Sequence, residues 1–182
     1  MAFETTQDLI QQAKLGSNAA QQAIYQNLST PLMGVCLRYL KNREDAQDIL
    51  LEAFLKIFKN LDNFSYESDA AFYGWAKRIT INESLMLLRK NKDINFLSIT
   101  EEFETEPDVS FLQELNTRHL LETIRQIPVG YRTVFNLYEI EGYSHQEIAE
   151  KLNISVGTSK SQLFKAKKLL REKLEQKQNG YA

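Results

Sequence analysis

Two helical patterns separated by only three residues near the C-terminus constrain the fold more than any other feature of this sequence. Ser144 and Glu147 have the spacing of a capping box, and the short helix that they open turns Ile148 inward. The turn that follows contains Asn153, a residue type that tolerates the left-handed backbone conformation. A long helix over about residues 156–175 comes next. These features predict a helix–turn–helix.

The outward face of the long helix is rich in Lys, Gln, Ser and Thr. Its inward face repeats every three or four residues, at Val156, Ser159, Leu163, Ala166 and Leu170. A helix with a packed back and a polar front is what major-groove reading requires. Basic side chains can neutralise phosphates, while Ser161, Gln162 and Lys165 can reach base edges. The candidate DNA-binding residues are Thr158, Lys160, Ser161, Gln162, Lys165 and Lys168. An ordinary solvated amphipathic helix is the alternative.

Positive charge is concentrated in this same segment. The 182-residue chain has a formal net charge of −2, which on its own argues against a nucleic-acid ligand. Residues 158–182, however, hold seven basic and two acidic side chains, whereas residues 92–116 hold one basic and seven acidic. A local basic face governs attraction to phosphate more than the global charge does. The charge pattern therefore favours DNA binding by the last helix and indicates an acidic linker ahead of its domain.

The rest of the chain is also expected to be helical. Only 7 Gly and 3 Pro are few for a protein of many tight turns, and 43% hydrophobic residues suffice for real cores. We expect a first helix stopped by Gly16, a second with a break or fresh start at Pro31, and a long one ending near Lys90. The core face of that long helix is predicted to comprise Phe72, Trp75, Ala76, Ile79 and Met86.

The predicted fold class is all-α, with two small helical domains. The first spans residues 1–92, an acidic linker spans 93–112, and the helix–turn–helix domain spans 113–182. The third helix, about Glu44 to Asn60, is apolar nearly all round. Such a helix is buried on most sides or presents part of itself to a partner.

The sequence lacks the motifs of an enzyme, a metal protein or a membrane protein. His119 and His145 are the only histidines, neither lies in a metal-ligand pattern, and His145 is expected on an exposed first turn. No Gly-rich phosphate loop or nucleophile elbow is present. Cys36 stands alone, the N-terminus does not resemble a signal peptide, and no apolar run is long enough for a membrane span. We therefore expect a cytoplasmic protein without catalytic activity, metal or cofactor.

Several segments in both halves of the chain match the motifs of one family. In the second half they are YSHQEIAE at 143–150 and GTSKS at 157–161, preceded by RQIP at 125–128 and YRTVF at 131–135. In the first half they are EDAQDI at 44–49 with EAF at 52–54, and FYGWAKRI at 72–79 with Asn82 and LRK at 88–90. These segments resemble the extracytoplasmic-function (ECF, group IV) sigma factors of RNA polymerase. The second-half segments resemble the family's C-terminal promoter-reading domain and its opening helices, and the first-half segments resemble its polymerase-binding helix and its downstream promoter helix.

This resemblance implies a polymerase-binding role for the third helix. In the family this helix docks on a coiled coil of the largest polymerase subunit, and the corresponding residues here are Asp48, Leu51, Glu52 and Leu55. The alternative is a solvated face in which Glu52 pairs with Lys56, which stabilises a helix by a few tenths of a kcal/mol, about 0.2–0.5.

The resemblance also implies capture of the unpaired strand of the downstream (−10) element, while the helix–turn–helix reads the upstream (−35) element. Unpaired bases need pockets and stacking surfaces, and the strand backbone needs cations. Asn63, Phe64 and Tyr66 are the candidates for a pocket; Arg78, Asn82, Arg89 and Lys90 are the candidates that line the strand. Trp75 is expected to pack in the core, because its spacing matches Phe72 and Ile79.

The implied partners are core RNA polymerase and promoter DNA, double-stranded upstream and single-stranded downstream. An anti-sigma factor, which the family often has, stays open as a further partner, and no membrane insertion is expected. In the family the linker threads polymerase channels, where acidic charge can mimic nucleic acid.

Four positions depart from the family pattern, and they leave the promoter sequence undetermined. The family usually has an apolar residue at Ser159, a basic one at Gln162, a Gln at Leu51 and an Asp at Met86. Gln favours adenine where Arg favours guanine. The main alternative function is a stand-alone helix–turn–helix regulator that binds DNA without polymerase, as a dimer at a two-fold symmetric site.

Overall fold

The computed structural model describes residues 5–91 and 117–179, with side chains described for 5–91 and 122–174. Within these ranges every regular element is helical, and the chain divides into two compact units, Met1–Leu88 and Arg89–Ala182. The prediction of an all-α fold with two helical domains is confirmed. The predicted acidic linker, residues 93–112, lies outside the described residues.

The first unit consists of four helices. They are α1 (Thr6–Lys14), α2 (Asn18–Tyr39), α3 (Arg43–Asn60) and α4 (Asp69–Lys90). A 3₁₀ turn, Leu61–Asn63, opens the α3–α4 loop, which comprises residues 61–68. Serine hydroxyls cap the first turns of α2 and α4: Ser17 Oγ accepts a hydrogen bond from the Ala20 N–H, and Ser68 Oγ accepts one from the Ala71 N–H. Gly16 follows α1 with φ +84°, a conformation that favours glycine.

The second helix does not break at Pro31, so that prediction is wrong. Pro31 lies inside a continuous α2, where its ring removes one backbone donor at a cost of about 3 kcal/mol. The ring itself is exposed, but buried residues stand on both sides of it, Ile24 before and Leu32 and Val35 after. Each fully buried aliphatic side chain contributes roughly 1.5–3 kcal/mol. Tertiary packing of α2 therefore outweighs the local preference of proline.

The core face of α4 also differs from the predicted one. Phe72 and Ala76 are buried as expected, but Met86 is 50% exposed and Trp75 and Ile79 are only partly buried. The buried face continues instead through Thr80, Ile81, Glu83, Ser84, Leu85 and Leu88. Small polar side chains can occupy it because they return their hydroxyls to the helix: Thr80 donates to Ala76 O at 3.0 Å, and Ser84 donates to Thr80 O at 2.9 Å.

The second unit contains the helix–turn–helix. Its helices are α5 (Thr117–Gln126), α6 (Val129–Phe135, continued by a π-helical turn at Asn136–Ile140), α7 (His145–Leu152) and α8 (Val156–Asn179). Both halves of the predicted capping box are present at the start of α7. Asn153 caps the end of α7 with φ 55° and ψ 52°, the left-handed conformation expected from its residue type. The turn geometry of the helix–turn–helix is therefore encoded locally in the sequence.

Candidate polymerase and promoter interfaces

The four candidate polymerase-binding residues lie on one exposed face of α3. Their spacing of three and four residues places them side by side along the helix. Asp48 and Glu52 are exposed, and Leu51 and Leu55 are 54% and 66% exposed. The opposite face of α3 is already buried in the unit through Ile49, Ala53 and Ile57, so the two leucines are not needed for the core. An apolar pair flanked by carboxylates is typical of an interaction surface.

An ion pair that the sequence did not reveal joins α3 to α4 beside this face. Lys56 Nζ lies 2.7 Å from Glu83 Oε2, and the Glu83 side chain is only 7% exposed. The sequence offered Glu52 as a partner for Lys56, since helix spacing reveals pairs within one helix but not pairs between helices. The pair with Glu83 leaves the carboxylate of Glu52 on the exposed face.

The α3–α4 loop holds the three candidate pocket residues in different environments. Asn63 is exposed, Tyr66 is half-buried and Phe64 is buried. The Phe64 ring lies 4.8 Å from the Trp75 ring and 5.4 Å from the Phe72 ring, measured between centroids. Phe64 therefore anchors the loop to α4, and Trp75 packs against it as predicted.

Tyr66 closes the loop onto the first residue of α4. Its hydroxyl donates a hydrogen bond of 2.6 Å to Asp69 Oδ1. This bond raises the pKa of Tyr66 above its usual range, and the Tyr66 hydroxyl, followed by a hydrogen bond from Thr6, lowers the pKa of Asp69. Asp69 is thus held as a carboxylate by donors from two different elements.

The candidate strand-lining residues occupy one exposed side of α4. Arg78, Asn82 and Arg89 are spaced by four and seven residues along the helix and are all exposed, as is Lys90. Met86, which the sequence placed in the core, lies among them. The resulting surface combines cations, which can line a strand backbone, with the apolar side chain of Met86.

The six candidate residues of α8 are not equally accessible. Lys160 and Lys168 are exposed and Lys165 is half-buried, whereas Thr158, Ser161 and Gln162 are buried. Two of the buried hydroxyls are used within the helix: Thr158 Oγ1 lies 2.8 Å from Ser155 Oγ, and Ser161 donates to Thr158 O at 3.0 Å. Helical spacing alone does not reveal that these three side chains are buried. In this conformation Lys160 and Lys168 are open to phosphate, while Ser161 and Gln162 would need to become exposed to contact a base.

The sequence suggested that His145 lies on an exposed first turn. In the structure it is half-buried and joins α7 to α8. Its Nδ1 lies 2.9 Å from Ser159 Oγ, and its ring stacks on Tyr138 at 4.4 Å between centroids. Ser159 is fully buried. The polar residue at Ser159 is therefore matched by a polar partner, which explains how it is tolerated in a buried position.

Two further cations, Arg132 and Lys167, are buried in the second unit. Lys167 Nζ lies 2.9 Å from Glu139 Oε1, with the Lys167 side chain 6% exposed. Arg132 Nη1 donates to Arg125 O at 3.0 Å, and burial, followed by the charge of Arg125, lowers the pKa of Arg132 to about 10. Lys167 thus joins α8 to the π-helical turn. Its charge is paired within the second unit, whereas Lys160 and Lys168 are exposed.

No group of three or more His, Cys, Asp or Glu side chains that could hold a metal ion occurs in the described part of the chain. None of the helices described is long and apolar enough to cross a membrane.

Two family models match the two units. The model described as "Sigma-70 region 2" matches residues 24–94, and the one described as "Sigma-70, region 4" matches residues 117–170. Together they cover more than half of the 182 residues. The first match contains α3 and α4, and the second contains α5 to α7 and most of α8.

Curated relatives match over nearly the whole chain. RNA polymerase sigma-H factor of Pseudomonas aeruginosa is 29% identical, with 94% of this chain and 95% of the relative covered. ECF RNA polymerase sigma-E factor of Haemophilus influenzae is 28% identical, covering 94% and 96%, and that of Escherichia coli K12 is 27% identical, covering 94% and 95%. A solved structure of CnrH in complex with the cytosolic domain of CnrY shares the fold, with a TM-score of 0.50 at 22% identity over 92% of this chain and 95% of that one.

The two units and their matched regions define a transcription initiation factor. The chain belongs to the sigma-70 family of RNA polymerase sigma factors, and it directs promoter-specific transcription. Its relatives further identify it as an ECF-type sigma factor. A stand-alone helix–turn–helix regulator, the alternative from the sequence, would leave the region 2 match unexplained.

Proposed function

We propose that this protein is a group IV sigma factor whose two units divide the work of initiation. The exposed face of α3 binds core RNA polymerase, the α3–α4 loop and α4 capture the unpaired −10 strand, and α8 reads the −35 element. The domains are residues 1–92 and 113–182, with residues 93–112 as the acidic linker. Strand opening draws its free energy from binding the unpaired strand, not from nucleotide hydrolysis. The protein works in the cytoplasm, where polymerase meets the promoter.

The observation that carries this proposal is the exposed apolar pair on α3. Leu51 and Leu55 are more than half exposed on a helix whose other face already fills the core, and Asp48 and Glu52 flank them. Apolar side chains centred among charged ones favour a protein partner, because the apolar part supplies affinity and the charges set specificity. A DNA-binding surface would not place two carboxylates beside its apolar residues, because they would repel the phosphates.

The role of the second unit is supported by its positive charge. Lys160 and Lys168 are exposed on α8, and the capping box and Asn153 fix the angle at which α7 meets it. Phosphate contacts orient such a helix, and base contacts then specify the sequence.

An anti-sigma factor is a further proposed partner. The structure of CnrH, which shares the fold, was solved in complex with the cytosolic domain of CnrY. By analogy, we propose that a regulatory protein occludes the surfaces that polymerase and promoter use.

Paired substitutions, one pair on each unit, test the division of labour. Asp48→Arg with Glu52→Arg should weaken binding to core polymerase by at least tenfold, since two favourable charge contacts become repulsive. Lys165→Ala with Gln162→Ala should leave core binding unchanged and weaken recognition of the −35 element. Core affinity is measured by fluorescence anisotropy of the labelled full chain, and promoter affinity by footprinting of the holoenzyme.

The two pairs of substitutions serve as controls for each other. Both variants must keep the helical circular dichroism and unfolding temperature of the parent chain. If the α3 variant bound core polymerase as tightly as the parent, or if both variants lost core binding alike, the proposed division would be wrong.

A further inference from the structure

Both ends of α1 are bonded to the α3–α4 loop and the start of α4. At the C-terminal end, Lys14 Nζ donates a hydrogen bond of 2.7 Å to Phe64 O and a longer one of 3.4 Å to Asp62 O. At the N-terminal end, Thr6 donates to Asp69, which also receives the Tyr66 hydroxyl. The loop is therefore held at several points by a helix about fifty residues away in sequence.

The two carbonyl oxygens that Lys14 binds lie on either side of Asn63. They belong to the 3₁₀ turn and to the residue that ends it, and such terminal carbonyls lack partners within their own helix. An ammonium group supplies a charge-assisted hydrogen bond, which is roughly twice as strong as a neutral one. Lys14 is half-buried, so water competes only in part for these oxygens. The backbone around Asn63 is thereby fixed while its side chain remains exposed.

Lys14 differs in this respect from the exposed cations of α4. Two of the three donors of its ammonium are directed at backbone oxygens of the loop, which favours a role through the loop over a direct phosphate contact. Phe64, whose carbonyl it binds, also packs its ring on Trp75 at 4.8 Å. Any movement of the loop that follows loss of Lys14 will therefore change the surroundings of Trp75.

We propose that Lys14 is a positioning residue for capture of the unpaired −10 strand, because it sets the backbone conformation that presents Asn63. This inference rests on the proposed role of the α3–α4 loop. It assigns to α1 a function in promoter opening that none of its own exposed side chains would suggest.

Substitution of Lys14 tests this inference, with Lys41 as a matched control. Lys14→Met keeps the length of the side chain and removes its donors, while Lys41→Met removes the same charge from an exposed site between α2 and α3. The full chain is combined with core polymerase on a promoter fragment whose start site has been mapped. We expect Lys14→Met to lower open-complex formation at least tenfold, the effect of losing one charge-assisted hydrogen bond. Lys41→Met should have no effect, and Lys14→Arg should restore most of the opening.

Trp75, the single tryptophan of the chain, provides a readout that a loss of stability alone would not move. We expect Lys14→Met, and not Lys41→Met, to shift its emission in the folded full chain, at unchanged far-ultraviolet circular dichroism and core affinity. Unchanged emission together with unchanged opening would overturn the inference. A fall of about one in the slope of log affinity against log salt concentration would also overturn it, because that is the signature of a lost phosphate contact.

Asn63→Ala separates failure of the inference from failure of the proposed function. If Asn63→Ala lowers opening but Lys14→Met does not, the loop captures the strand without help from Lys14. If neither variant lowers opening, the loop does not have the proposed role.

Discussion

Single residues of this protein are understood only with their partners in space. Ser159 and His145 both stand out in the sequence, one as a polar residue at an apolar position and the other as a histidine without a metal pattern. Their hydrogen bond of 2.9 Å explains both, but it depends on how α7 crosses α8. The sequence therefore shows that each residue is unusual at its position, but it does not show that the two residues are partners. Two further pairs that the sequence does not reveal are Lys14 with Phe64 and Lys56 with Glu83.

The bond between Ser159 and His145 leads to a prediction about stability. The family's usual preference for an apolar residue at this position would predict the opposite effect. Ser159→Val introduces the apolar residue type that the family usually has, yet it removes the hydroxyl bonded to His145 Nδ1. We expect it to lower the free energy of unfolding by about 1–2 kcal/mol, since the ring nitrogen loses its hydrogen-bond partner in a partly buried site. Urea unfolding measures this difference.

Ser159→Val combined with His145→Phe is the control for that measurement. Phe keeps a ring against Tyr138 without the nitrogen, so the double variant should recover much of the loss. If Ser159→Val were as stable as the parent chain or more so, the bond would contribute nothing measurable.

At the scale of elements, the sequence predicts best where local chemistry decides. The end of α1 and the start of α7 follow from Gly16 and the capping box, because caps and turns involve neighbours in sequence. The predictions for Pro31 and Met86 are wrong because packing decides there. Burial along α2 outweighs the proline, and hydroxyls returned to the helix let Thr80 and Ser84 take the core face of α4.

The capping box makes the start of α7 sensitive to acid. The Ser144 hydroxyl and then its backbone N–H lower the pKa of Glu147 below its ordinary 4.5. A carboxyl with a lowered pKa in the folded state stabilises the fold above its unfolded pKa, and this contribution disappears as pH falls through the lower, folded pKa. We therefore expect the parent chain to be more stable than Glu147→Gln at pH 7, with the difference shrinking as pH falls through the lowered pKa of Glu147.

Thermal unfolding of the two proteins across this pH range tests the capping box. Asp48→Asn, which changes an exposed carboxylate on the other unit, controls for the general effect of removing one negative charge. A difference between parent and Glu147→Gln that stayed constant from pH 7 to pH 3 would contradict the assignment.

The whole molecule combines two units that the sequence indicates separately. Each unit carries motifs that resemble a different part of a sigma factor, and the region 2 and region 4 matches agree with that order along the chain. What the sequence could not provide is the accessibility of the interfaces. Leu51 and Leu55 are exposed as a polymerase surface requires, whereas Ser161 and Gln162 on α8 are buried. On the proposed −35 surface, Ser161 and Gln162 therefore need to become exposed before they can contact bases.

In vitro transcription with purified core polymerase tests whether this protein directs initiation at specific promoters. A library of genomic promoter fragments is transcribed with and without this protein, and the 5′ ends of the transcripts are mapped. We expect discrete start sites that appear only when the protein is present, each preceded by a shared pair of −10 and −35 elements. Tight binding to DNA without polymerase, with no new start sites in its presence, would show instead that the protein is a stand-alone regulator.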